Sequence, residues 1–391
     1  MKHAPSAGAL FALLHFVSIL NAAALSYNTS NLQSSLQKCA SSADIINFLG
    51  ENKSFLSSSL ASTVLVRLSK MSNEAIPVDA VYTASTIVAS DVKYKMNDLV
   101  EALKAAAVLA RFQSDKGCDT VAPLVNTLCE MDESLMGSLS SQQLSGIMWA
   151  FESYQSTFPD VVISSDAFMS IRQRFLDLHL PFRIRPGFLL KYVDKLPSVS
   201  DFIQEVDFKK EQVITSEGKI IEERRLTAWQ GEEGVQGFAY SGKVMDTKPF
   251  SACVKRFRDV LAEHTGEYYD ACLLNLYPDS NSAMRFHIDP DQGELWDYST
   301  TVVSVGSSRR FSFREIFHDG DGSNGTLFDN PHNFAVSDGD ITEMFGNCQF
   351  RWQHCVRPAD IETSGPRVSL VFKRTWSNGE DKKDKESVAT T

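Results

Sequence analysis

The stretch LLNLYPDSNSAMRFHIDPD, Leu273 to Asp291, decides how this chain is read. Its first five residues alternate like a β-strand, in which side chains repeat every second position, so Asn275 and Tyr277 share one face. Its end, His287-Ile288-Asp289, sets an imidazole and a carboxylate one strand period apart. A second histidine, His354, follows 354 − 289 = 65 residues later, so the chain must fold back across a sheet to deliver it. Two imidazoles and one carboxylate are the protein ligands of a facial triad, which leaves the other positions on a non-haem Fe(II) open. An isolated H-x-D is a weak signal. Its order between N-x-Y upstream and R-x-S downstream gives it weight.

PRVSLVFK, Pro366 to Lys373, reads as a second strand, with Arg367, Ser369, Val371 and Lys373 on one face. Val368, Leu370 and Phe372 take the other face. A dicarboxylate such as 2-oxoglutarate needs a metal for its keto-acid end and a guanidinium fork for its distal carboxylate. Arg367, Asn275 and Tyr277 are of the right types for the second task. Further alternating runs at Thr301–Val305 and Arg310–Phe313 extend the β pattern.

From about Pro181 to Trp376 the chain resembles the AlkB-type Fe(II)/2-oxoglutarate dioxygenases of the alkylation-repair branch. The matching blocks are RLTAWQG (Arg225–Gly231), YSG (Tyr240–Gly242), the opening stretch, SVGSSRRFSFR (Ser304–Arg314), GDITEMFGNCQFRWQHCV (Gly339–Val356) and PRVSLVFK. The resemblance implies a double-stranded β-helix (jelly roll) with the metal inside its open end. It implies Fe(II) on His287, Asp289 and His354, and 2-oxoglutarate beside Asn275, Tyr277, Arg367, Ser369 and Lys373, with O2 as the oxidant. On the substrate side it implies Asp291, Trp229, Tyr240 and Arg225. Asp291 matches the acidic residue that accepts from the exocyclic amine of a damaged base, and Trp229 and Tyr240 match the wall of the base pocket. Arg309 matches a family arginine near the sheet edge, with no role attached.

The implied activity is oxidative demethylation of N-alkylated bases in single-stranded DNA or RNA, releasing formaldehyde, succinate and CO2. Two other readings stay open: a 2-oxoglutarate hydroxylase or demethylase of protein or tRNA, and a catalytically weakened helical-repeat RNA-binding factor. Three departures bear on these. The family's R-x-N is Arg367-x-Ser369, its last arginine of that strand is Lys373, and Pro290 stiffens the turn after Asp289. Lysine supplies charge but not a bidentate fork.

The organisation read from the sequence is α+β: a leader at residues 1–24, a helical repeat-like domain at 25–180, the oxygenase at 181–376 and a disordered tail at 377–391. The leader is an apolar run after Lys2 that ends in Ala22-Ala23-Ala24, the layout of a cleavable signal peptide. A serine-rich, acid-free stretch follows from Ser26 to Ser42. Together they are expected to direct import into a plastid, with the mitochondrion or secretory pathway as alternatives and no stable membrane association after cleavage. LASTVLVRLSKM (Leu60–Met71), LVEALKAAAVLARF (Leu99–Phe112) and LSGIMWAFESY (Leu144–Tyr154) are similar apolar helices about 40 residues apart. The last, with its lead-in from Leu139, resembles the repeat unit of octotricopeptide and FAST-kinase-like proteins, which implies RNA contact. The alternative is a helical accessory domain with its own core.

The seven cysteines are scattered, with no C-x-x-C pair, which favours a reduced compartment. A net charge of −11 does not suit a sequence-independent DNA binder. Local basic clusters such as Arg224-Arg225 and Arg309-Arg310 remain available for phosphates. A monomer is expected.

Overall fold

A computed structural model describes residues 29–376 apart from 72–75, 91–95, 114–116, 162, 164, 215–216, 319–325 and 361–363. The leader and the polar tail lie outside the described residues. No helix among the described residues is long and apolar enough to cross a membrane.

The chain divides into two compact units, Met1–Met131 and Asp132–Thr391. The described part of the first is helical: α1 (29–38), α2 (Ser42–Asn52), α3 (Ser58–Lys70), α4 (Val78–Ala89), α5 (Met96–Ala110) and α6 (Gly117–Cys129). Helix α3 starts at a serine cap, Ser57, and buries Leu60, Ala61, Val64, Leu65 and Leu68, the stripe that 3.6-residue spacing gives. Helix α5 is buried on almost every side because its run of alanines lets neighbours approach closely.

The second unit opens with α7 (Glu133–Gly137), α8 (Ser141–Thr157) and α9 (Asp166–Leu176). Ser140 and Gln143 close a reciprocal capping box at the start of α8. The sequence reading set the domain break near residue 180, whereas the compact units divide after Met131. The reason is that α8 packs on the oxygenase strands: Ser145 Oγ lies 2.8 Å from His332 Nδ1, and Gln142 donates to Asp329 at 3.0 Å. The third of the three similar helices thus belongs to the oxygenase unit.

Strands β1 (Phe182–Arg185), β2 (Gln212–Ile214), β3 (Ile220–Glu222), β4 (Leu226–Gly231), β5 (Phe238–Tyr240), β6 (Lys243–Met245) and β7 (Lys248–Pro249) come next, with α10 (Val199–Glu205) between β1 and β2. Helix α11 (Ala252–Thr265) leads to β8 (Ala271–Tyr277), β9 (Met284–His287), β10 (Thr300–Gly306), β11 (Arg309–His318), β12 (Thr326–Phe328), β13 (His332–Val336) and β14 (Ile341–Met344). The short α12 (Cys348–Arg351), β15 (Trp352–Val356) and β16 (Arg367–Lys373) complete the unit.

A seven-stranded sheet runs β1-β14-β10-β16-β8-β4-β7, and a five-stranded sheet runs β12-β11-β15-β9, with β13 also on β11. The period-two pattern of β16 explains the layering. Val368, Leu370 and Phe372 join Cys272, Leu274 and Leu276 of β8 in a core covered by Phe202 of α10 and Val254, Phe257 and Leu261 of α11. Arg367, Ser369, Val371 and Lys373 turn the other way and are buried too. The expected α+β fold with a jelly roll is the one observed. Gly306, at φ +93°, closes β10 where a Cβ would lie 2.7 Å from the Pro366 carbonyl oxygen, so the glycine lets β16 begin at Arg367.

Candidate active site

The smaller sheet brings His287 of β9 opposite His354 of β15. Their rings lie 4.2 Å apart, and Asp289 Oδ1 is 3.4 Å from His287 Nε2 and 3.6 Å from His354 Nε2. All three ligand atoms fall within 4.8 Å of one another. His287 Nδ1 lies 2.9 Å from the Arg285 carbonyl, a bond that puts the proton on Nδ1 and leaves the Nε2 lone pair free. Burial, then the neighbouring His287, pushes the His354 imidazole down to about 3, so it is neutral at physiological pH. His354 stacks on Phe311 at 5.7 Å.

Asp289 is buried, and burial alone would raise its pKa. Lys373, His287 and His354 outweigh that effect and hold the carboxyl well below the usual carboxylate range. Lys373 Nζ donates to Asp289 Oδ2 at 2.8 Å and to Gln292 Oε1 at 3.0 Å. Gln292 in turn donates to Thr300 Oγ1 at 2.9 Å, and Asp289 N donates to Gln349 Oε1 at 2.9 Å. One carboxylate oxygen is therefore clamped while Oδ1 faces the imidazoles.

At the other end of β16, Arg367 is fully buried and pairs in register with Tyr277. Its NH2 donates to Ser304 Oγ at 2.9 Å, whereas Nε, NH1 and the Tyr277 hydroxyl are buried with no protein partner. Arg309 lies close enough that burial and then the charge of Arg367 push its guanidinium down to about 10. Arg309 is itself held by the Asp279 and Gly365 carbonyls at 3.1 and 2.9 Å. Between the ends, Arg225 Nε donates to Asn275 Oδ1 at 2.8 Å and Asn275 Nδ2 to Ser369 Oγ at 3.4 Å. A cavity of about 210 Å³ opens between the sheets, lined by the triad, Asn275, Ser369, Arg225, Phe238 and Tyr240 among others.

A family profile described as the 2OG-Fe(II) oxygenase superfamily matches residues 183–373. The uncharacterized protein R406 of Acanthamoeba polyphaga mimivirus is 30% identical over 192 residues, 48% of this chain and 94% of that protein. Human alpha-ketoglutarate-dependent dioxygenase alkB homolog 3 is 26% identical over 193 residues, 49% of this chain and 65% of its own length. Mouse DNA oxidative demethylase ALKBH2 is 28% identical over 151 residues, 38% of this chain and 61% of its own. The chain belongs to the 2OG-Fe(II) oxygenases, in the AlkB-type group. The matched region spans less than two thirds of the length of either mammalian relative.

Membership makes this AlkB-type chain a 2-oxoglutarate-dependent dioxygenase, with Fe(II) as metal and 2-oxoglutarate and O2 as cosubstrates. The residues fit that set. Two neutral-type nitrogens and a hard oxygen are the donors a ferrous site takes, and the orphaned buried Arg367 and Tyr277 groups suit a carboxylate.

The structure places the expected residues unevenly in this oxygenase. His287, Asp289, His354, Asn275, Ser369, Arg225 and Tyr240 line the cavity; Lys373, Arg367 and Tyr277 are not among its lining residues. Trp229, expected on the base-pocket wall, does not line it. Its register partner Leu273 does line the cavity, but Trp229 packs behind Phe238 with rings 4.7 Å apart, and its Nε1 donates to the Gln236 carbonyl at 3.1 Å. Phe238 forms the wall instead. Asp291 lies at φ +56° on the turn after Pro290 and is also off the lining, its carbonyl accepting from Leu295 and Trp296. Sequence reasoning missed Gln292 and Ser304, whose partners Lys373 and Arg367 are distant in the chain, and Thr300, which Gln292 engages. Gln349 stood within the quoted Q-x-x-W-x-H block, which was the available signal.

Tyr240 is fixed by a buried carboxylate: its hydroxyl donates to Glu223 Oε1 at 2.7 Å, and Glu223 also pairs with Lys243 at 3.0 Å and Arg225 at 3.2 Å. Burial, chiefly, raises the Tyr240 phenol above its ordinary value.

Proposed function

We propose that this chain is an oxidative demethylase of N-alkylated bases in DNA or RNA, releasing formaldehyde, succinate and CO2. The observation that carries it is the cavity itself, with the His287–Asp289–His354 triad on one side and an aromatic wall of Phe238 and Tyr240 on another. Such a wall suits a base unstacked from its strand. The name of the mouse relative, a DNA oxidative demethylase, supports the same substrate class.

His287 and His354 would hold Fe(II) through Nε2 and Asp289 through Oδ1. Bound iron, with 2-oxoglutarate and O2, supplies the oxidation of a C–H bond, chemistry that belongs to metal and cosubstrate. Lys373 keeps Asp289 ionised and turns Oδ2 away from the imidazoles. Arg367 and the Tyr277 hydroxyl take the distal carboxylate of the cosubstrate, with Ser304 steadying the guanidinium. Phe311, Val302 and Val371 keep the floor of the cavity apolar and exclude water. Arg225 and Tyr240, clamped by Glu223, orient the base. Hydroxylation of an N-methyl carbon gives a hemiaminal. The hydroxyl proton leaves, the C–N bond breaks with its electron pair kept by the ring nitrogen, and formaldehyde departs. In N1-methyladenine or N3-methylcytosine the ring nitrogen is thereby neutralised.

The test is anaerobic loading with Fe(II) and 2-oxoglutarate, then air, then mass spectrometry of N1-methyladenine and N3-methylcytosine oligonucleotides. Loss of a methyl mass with matching formaldehyde is the expected result. Succinate without methyl loss would move the substrate to protein or tRNA, and no succinate would indicate weakened chemistry.

A further inference from the structure

The outward face of the smaller sheet carries a ladder of alternating guanidinium and phenyl groups. The Arg357 guanidinium lies over the Phe286 ring at 5.0 Å, Arg314 lies over the same ring at 4.0 Å, and Arg314 also lies over Phe328 at 3.6 Å. These four residues come from β9, β11, β12 and the end of β15, so the ladder crosses the whole sheet. Gln353 Oε1 accepts from Arg314 Nε at 2.9 Å and NH2 at 2.6 Å, which fixes the plane of the guanidinium.

Two facts make this face more than a solvated surface. Arg310 of β11 pairs with Asp360 and Arg351 at the end of α12 pairs with Glu315, but among the described residues Arg314, Arg357 and the exposed Arg285 have no carboxylate within 4.0 Å. Among the described residues these arginines leave positive charge on the face that no carboxylate matches, in a chain whose net charge is −11. Phe328 also stays 42% exposed. The ladder begins on β9, the strand that carries His287, and Met284, His287 and Ile288 border the cavity.

We infer that this Arg357–Phe286–Arg314–Phe328 face holds the single strand that flanks the target base. The inference rests on the demethylase reading above. Alternating rings and guanidinium groups match the alternation of base and phosphate in an unpaired strand, in which bases stack on aromatic side chains and arginine follows the backbone. An acidic protein segment would meet the same arginines, and binding of oligoglutamate in place of oligothymidylate distinguishes it from a strand.

The experiment measures binding of a fluorescein-labelled oligothymidylate to the full chain by anisotropy across a KCl series. The variants are Arg357→Glu, Arg285→Glu/Arg357→Glu and Phe328→Ala. Each lost phosphate contact should flatten the log–log salt slope by about 0.7, and Phe328→Ala should weaken binding on the order of tenfold. The preference for a methylated oligonucleotide over the methylated mononucleotide should fall in parallel. The arginine variants replace exposed side chains, so they report even where Phe328→Ala fails to fold. Unchanged slope and affinity in the double variant would overturn the inference, as would a face that binds oligoglutamate and not oligothymidylate. Absence of demethylation with the salt effect intact would instead count against the demethylase reading alone.

Discussion

The two ends of β16 solve the same problem, a buried cation, in opposite ways. At Lys373 the charge is matched inside the protein by Asp289, with Gln292 and Gln349 completing the hydrogen bonds. At Arg367 the guanidinium has one hydroxyl partner, and Nε, NH1 and the facing Tyr277 hydroxyl have none in the protein. Buried donors without acceptors cost about 1–3 kcal/mol each, so the Arg367 end is poised for an anion and the Lys373 end is already complete. A scaffold and a receptor thus share one strand of seven residues.

The largest effect should come from breaking the complete end. Asp289→Asn leaves Lys373 buried without its counter-charge, and denaturant unfolding should show a loss of about 3–5 kcal/mol. Metal affinity, followed by Co(II) absorption, should fall by more than the roughly 10–100-fold typical of losing an outer partner. Arg367→Met should do the reverse. It removes an incompletely bonded charge, so the ligand-free protein should keep or gain stability, while calorimetry shows 2-oxoglutarate binding weakened by roughly tenfold or more. If both variants lose the same stability, the contrast between the ends fails.

Ligand linkage sharpens the same contrast. At a hundredfold excess over its Kd, 2-oxoglutarate should stabilise the metal-loaded protein by about 2.7 kcal/mol, read as a rise in Tm that Arg367→Met abolishes. The smallest effect concerns acid. Burial pushes His332 down to about 4 from 6.5, so the unfolded chain takes up a proton that the folded chain refuses between those values. Stability should therefore fall as pH drops from about 6.5 towards 4, and His332→Asn should reduce that slope while leaving the share that buried His354 contributes. The Asp289 carboxyl, held below the usual range, governs a separate loss at still lower pH.

What the sequence disclosed follows from strand periodicity. Arg367 with Ser369 and Lys373, and Asn275 with Tyr277, share faces because β16 and β8 have no bulge between them. The triad was legible for the same reason, once the order of motifs fixed the return of His354. Trp229 shows the limit: alternation gives the face, and Phe238 from another strand stacks over the indole and takes its place on the wall. The grip of Gln292 and Gln349 on the Asp289 region, and the seat of Arg309 beside Arg367, depend on loops closing over many residues, which no local pattern encodes. The unit boundary was missed because α8 is apolar on nearly every side, and such a helix does not reveal whether helices or strands surround it.

Strand β9 is the margin of its sheet among the described residues, hydrogen-bonded there to β15 alone, through a ladder broken by a bulge. Marginal strands are where exchange of amide protons and partial opening begin. Because His287 rides on that strand, opening of this edge would dismantle the ligand set while the core under α11 stays intact. A bound metal would then act as a clasp on that hem, and its loss is expected to precede denaturation.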